Sequence, residues 1–319
     1  MLPRRAGTAL VVSALLFLAG CTGAPDRELQ YVVVPHPDDE YQAWSLVAER
    51  PETYPVFVLL TRGERTALCD GRAFQPEHGE RPPQPQPFDP DDEERCAAQR
   101  VDAWHAFLDG MADLDDTLDV PEEVGTFEGE APAGAAAPDS TRFDLHVGDD
   151  SARVVFDLGD GQLRADEVTW AIQATRELRG EHFATTAEGD VVGAAFANTG
   201  LPDCVAYDHP DHVAVHDALG ATDQETGGAQ LARTCESDPD ASVLAEVDEE
   251  LHDAVWNVSP GNADPAGNPA VQREGVAQRV YGWLAFSFTD GGQHTYWALG
   301  DDDTTAFSRR QAFRSAFDD

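Results

Sequence analysis

Two short segments of the chain hold residue types that could do hydrolytic chemistry: His36-Pro37-Asp38-Asp39-Glu40 and Asp208-His209-Pro210-Asp211-His212. The first crowds an imidazole and neighbouring carboxylates into one turn; the second adds more of both. Either alone would serve equally well as a hydrogen-bonded cluster or a helix cap. Together they supply two His and a carboxylate, the donor set of a zinc site that keeps one corner open for water. Adjacent side chains such as Asp38 and Asp39 point in different directions, so one can ligate while the other takes a proton. Several assignments fit the spacing. His209 and His212 stand at i and i+3, neighbours on a helix, and either could ligate. His216, four residues beyond His212, could join them, although it reads as a hydrogen-bonded structural His. Glu40 reads as a first-turn charge that could orient a ligand from outside the coordination sphere. Asp38 could instead cap the helix that follows.

These side chains need a scaffold that brings distant segments together. The apolar run 31–34, bounded by Pro35, predicts a buried parallel strand. Helical character over 40–50 and a second apolar run over 56–60 complete a strand–helix–strand unit, hence a parallel sheet. The first segment then falls at the carboxyl end of a strand, where ligands bind in such sheets. A helix is predicted from Asp89-Pro90 to about residue 108, with Trp104, His105 and Phe107 packing or facing solvent. Strands follow over 143–147, 154–158 and 191–196, with a helix starting near Ala165. A late strand over 280–288, with Trp283, Phe286 and Phe288 as core, and a terminal helix over 306–317 end the reading. Arg309, Arg310 and Arg314 read as balancing acidic surface. Three acidic stretches, near 63–92, 111–141 and 221–267, read as loop insertions, the second a mobile linker and the third a cover over the site. The expected class is α/β: a Rossmann-like three-layer fold with a mainly parallel sheet and acidic loop insertions, in a single domain over 30–319.

With an HPDD segment after the first strand and an HxDH segment far downstream, the chain resembles the LmbE-like/PIG-L family of zinc-dependent N-acetylglucosaminyl deacetylases. The turn Thr61-Arg62-Gly63-Glu64 is similar to that family's TxGE segment, and the likeness spans roughly residues 31–216. The resemblance implies that His36, Asp39 and His212 ligate Zn²⁺ and that Asp38 is the general base. It further implies that His209 stabilises the oxyanion or acts as general acid, with Asp211 orienting His209. The implied activity is removal of an N-acetyl group from an amino sugar, glycoconjugate or related cell-envelope compound. Two other readings stay open: a zinc amidase for a non-sugar substrate, and a non-catalytic glycan-binding lipoprotein.

The bulk numbers narrow the partners. Among 319 residues, Asp and Glu total 60 against 21 basic residues, all of them Arg, for a formal charge of −39. Such a surface repels phosphate backbones and excludes nucleic acid as a partner. Residues 1–21 read as a lipoprotein signal peptide: Arg4 and Arg5, a short apolar run, then Leu18-Ala19-Gly20-Cys21, with Cys21 the lipidated residue. Residues 22–29 read as a tether, and the protein is expected outside the cytoplasm, held to the membrane by its lipid. In that oxidising setting the remaining cysteines are expected to pair locally, Cys69 with Cys96 and Cys204 with Cys235.

Overall fold

The computed structural model describes residues 27–65, 69, 92–114, 118–129, 142–183, 185, 187–195, 209–221, 229–233, 243–256, 258–260, 271–273, 275–276, 280 and 310–315. The proposed signal peptide, Cys204, Cys235, the expected strand over 280–288 apart from residue 280, and most of the 63–92 stretch lie outside them.

Strand β1 (Leu29–Val34) is buried along its whole length, Gln30 included, as the apolar run 31–34 requires. It pairs in parallel with β2 (Tyr54–Leu59), Val32 facing Phe57 and Val34 facing Leu59. Between them run a 3-10 turn (Glu40–Ala43) and the short helix α1 (Trp44–Ala48). Helix α2 (Glu93–Ala112) starts where the Asp92 carboxylate accepts the Arg95 N–H at 3.0 Å. The expected start at Asp89-Pro90 lies outside the described residues, and the helix, with Met111 buried, continues past residue 108. A disulfide joins Cys69 to Cys96 in its first turn, one of the two expected pairs.

Strands β3 (Glu122–Glu128), β4 (Arg142–Val147) and β5 (Ala152–Phe156) precede helix α3 (Ala165–Glu177). Strand β6 (Val191–Gly193) leads towards helix α4 (Pro210–Ala221). After it come β7 (Ala229–Arg233), β8 (Val243–Glu246), α5 (Glu249–Trp256), a ribbon of β9 (Val258–Pro260) and β10 (Val271–Arg273), and β11 (Arg310–Ser315).

The main sheet has the order β3-β4-β5-β2-β1-β6-β7-β11-β8. It is mixed: β5, β2, β1, β6 and β7 run parallel at the centre, and antiparallel pairs flank them on both sides. Helices cover both faces. Val32 and Val34 join Trp44, Trp104, Phe107 and Met111 in one buried cluster. Tyr31 and Val33 join Val168, Ile172, Val215 and Leu219 in the other. This alternation is the period-2 rule of a strand buried on two sides. Gly193 lets α4 approach the sheet, since a Cβ there would meet Leu231 Cδ2 at 2.8 Å and Leu219 Cδ1 at 3.0 Å.

Three expectations need correction. The 111–141 stretch contributes strand β3, whose exposed acidic face disguises an edge strand paired to β4. The 221–267 stretch supplies β7 and β8 to the sheet instead of a cover over the site. The expected terminal helix over 306–317 is strand β11, bonded between β7 and β8. Arg, Gln and Ala are good helix formers, but propensity is a weak preference and pairing on both edges overrides it. Among the described residues, no helix is long and apolar enough to cross a membrane.

Candidate metal centre

The strand order reverses at one place. Proceeding outward from β1, the chain builds β2 and β5 on one side, then β6 and β7 on the other. Ligands in open parallel sheets bind at the carboxyl ends of the strands beside such a reversal. His36, Asp38 and Asp39 follow the end of β1 there, and His209, Asp211 and His212 enter α4 after β6. The two segments meet.

His36, Asp39 and His212 offer ligand atoms within 4.8 Å of one another, all buried, and the group could hold a metal ion. Asp39 Oδ2 lies 3.1 Å from His36 Nδ1 and 3.2 Å from His212 Nε2. The other Asp39 oxygen accepts a hydrogen bond from Gln42 Nε2 at 2.5 Å. The far nitrogen of His36, Nε2, reaches Asp211 Oδ2 at 3.0 Å and Asp160 Oδ1 at 3.2 Å. His36 therefore presents Nδ1 to the Asp39–His212 side, with carboxylates behind its Nε2. That is the relay by which proteins fix the tautomer and orientation of a ligating imidazole. Asp160 also accepts the Arg65 N–H at 2.6 Å, and its own N–H donates to Glu64 Oε1 at 2.9 Å.

The Asp211 carboxylate, fully buried, accepts from Gly161 N at 2.7 Å and Leu163 N at 3.0 Å, as well as facing His36. The Asp211 backbone N–H donates to His209 Nδ1 at 3.3 Å. The contact leaves Nε2 as the protonated nitrogen of a neutral His209. His209 and His36 meet edge to face with ring centroids 4.6 Å apart. A second, overlapping group able to hold a metal joins His36, Asp160, His209 and Asp211. The His36–Asp39–His212 group is buried at all three residues, whereas His209 in the other is only partly buried. His216 stands apart, with Nε2 2.7 Å from the Ala195 carbonyl, as expected of a structural His.

Charge state follows from these contacts. Burial pushes the Asp38 carboxyl up to about 7 against the opposing pull of Arg100, with Asp39 adding to the rise. Burial would raise Asp39 too, but His212 and His36 outweigh it and hold its carboxyl well below the usual range. Burial disfavours a charged His36, yet the facing Asp160, Asp211 and Asp39 carboxylates raise its pKa well above the ordinary value. His209 is lowered by burial and by His36 beside it. Neighbouring aspartates thus differ sharply: Asp39 is a committed anion, and Asp38 is poised to exchange a proton near neutrality.

Asp38 does not cap the following helix; its carboxylate accepts from Arg100 Nη2 at 3.2 Å. Glu40 is buried, not a surface charge, and accepts the Asp38 N–H at 3.1 Å. Asp160 and Arg100 escaped the sequence reading. Asp160 follows β5, another central parallel strand, so the strand-end rule could have found it. Arg100 carried no such signal.

No protein-family model matches the chain, and no curated protein matches it in sequence.

Proposed function

We propose that the chain is a zinc-dependent deacetylase of the LmbE-like/PIG-L kind, built on a Rossmann-like fold, that removes an N-acetyl group from an amino sugar or cell-envelope glycoconjugate. One observation carries the reading: His36 and Asp39 converge with His212, from a segment far downstream, in a buried cluster whose atoms could hold a metal ion. Two imidazoles and one carboxylate suit zinc, and the Asp160 and Asp211 carboxylates behind His36 give the outer support such sites use. His36 through Nδ1, Asp39 and His212 would hold the ion. Zinc in a site of this type supplies a water of pKa about 7 and polarises a carbonyl.

The chain's own groups supply the rest. Asp38 takes the proton from the attacking water. His209, neutral and protonated on Nε2, donates to the oxygen that gains charge at the acetyl carbonyl. Asp38 then passes its proton to the amine as the C–N bond breaks, releasing acetate. The lipobox ending at Cys21 supports an exported, lipid-anchored location facing envelope substrates.

The test combines elemental analysis with an acetate-release screen over N-acetylglucosamine derivatives. Protein with bound zinc should release acetate, and Asp38→Asn should cost about 100-fold or more in kcat. A zinc-loaded chain that deacetylates no member of such a set would overturn the reading.

A further inference from the structure

Asp38 is the one non-glycine residue among those described with a positive φ, at 102°. That region is a strained one for an L side chain, so Asp38 stays there only if its surroundings hold it. Glu40 Oε2 accepts its N–H at 3.1 Å. Arg100, 4 % exposed and reaching in from α2, grips the turn at two points with Nη2. It donates to the Pro37 carbonyl at 2.9 Å and to Asp38 Oδ2 at 3.2 Å. A partner for charge alone would need only the carboxylate, and a brace for the turn only the carbonyl. Arg100 takes both, and so fixes main chain and side chain of the same turn together. The space it occupies is made by Gly63, whose φ is +64°; a Cβ there would lie 2.7 Å from Arg100 Nε and Nη2. The turn after β2 thus stays bare so that a guanidinium can pass to the turn after β1.

We infer that Arg100 is a positioning residue that aims the Asp38 carboxylate at the attacking water, and that Gly63 provides the space this requires. The inference rests on the reading of Asp38 as general base. Arg100 itself touches no reacting atom.

The experiment uses zinc-loaded full-length protein and acetate release from an N-acetylglucosamine derivative. Arg100→Met should lower kcat about 100-fold with KM changed less than about twofold and zinc content kept. Arg100→Lys should recover about tenfold of that loss, and added guanidinium should partly restore Arg100→Ala. Gly63→Ala, which crowds the guanidinium, should lower kcat in the same direction. In an Asp38→Asn background, Arg100→Met should cost less than about twofold more, because its effect runs through the missing carboxylate. An unchanged kcat in Arg100→Met, or an equal loss in both backgrounds, overturns the inference. If Asp38→Asn keeps full kcat, the base reading fails instead. The crystal structure of Arg100→Met decides the positioning role independently of any substrate: Asp38 relaxed from positive φ with its carboxylate turned away supports it, and Asp38 unmoved overturns it.

Discussion

Histidines gather in two places between sheet and helix, with opposite results. At the strand reversal, His36 sits among Asp39, Asp160 and Asp211, and its pKa is driven upward. At the far side of the sheet, His105 of α2 stacks on His146 of β4 with ring centroids 4.7 Å apart. There the neighbour is Arg153, 4 % exposed on its side chain, with Nη1 3.3 Å from His105 Nδ1 and Nη2 2.7 Å from Asp109. Burial, with Arg153 and His146 adding to it, pushes His105 down to about 3, and burial with Arg153 also lowers His146. The carboxylates that converge on His36 make its cluster attractive to a cation. A guanidinium occupies the equivalent place in the other and repels one.

The largest expected effect separates the two clusters outright. Asp39→Ala or His212→Ala should lose bound zinc and about 1,000-fold or more of acetate release, whereas His146→Gln should leave both within about twofold. Zinc retained by Asp39→Ala would show that the overlapping group around Asp160 and His209 is the true pocket. A smaller effect tests the carboxylates behind His36: Asp211→Asn should weaken zinc binding by about 10- to 100-fold in a chelator competition. Unchanged affinity would reduce Asp211 to a loop brace. Acid titration probes the other cluster. The folded-state pKa of His105 lies below that of the unfolded chain, so the unfolded state binds the extra proton. Its contribution is complete above about pH 6.5 and is lost as pH falls towards 3, by at most about 1.4 kcal/mol per pH unit. His105→Gln should flatten the acid side of a plot of unfolding free energy against pH; an unaltered slope would mean His105 titrates normally. The smallest effect is general. With a formal charge of −39, the melting temperature should rise by a few degrees as salt increases from a few millimolar to roughly 0.1 M, where screening sets in at about 10 Å.

Much of this was legible in residue order, for physical reasons that differ by element. Strands β1 and β2 announced themselves because strands buried on both faces are apolar throughout, and the turn after β1 followed from that. His36, Asp39 and His212 stood out because their neighbours share their chemistry. Asp160 did not, since a lone Asp between glycines looks like any turn until β5 is placed beside β2. Arg100 gave no signal, because nothing local tells a buried guanidinium from an exposed one. Strand β3 hid behind its acidic face, and β11 behind residues that favour helix; in both, pairing partners distant in the chain decided the outcome.

Gln311 of β11 accepts from the Ser45 N–H and hydroxyl, 266 residues upstream, and donates to the Tyr41 carbonyl at 2.7 Å. The short helix behind the turn that carries His36 and Asp39 is thus clasped by a segment synthesised well after it. A growing polypeptide would hold both halves of its candidate metal pocket long before it owned the clasp, so full affinity for an ion should arrive only once β11 has slotted home.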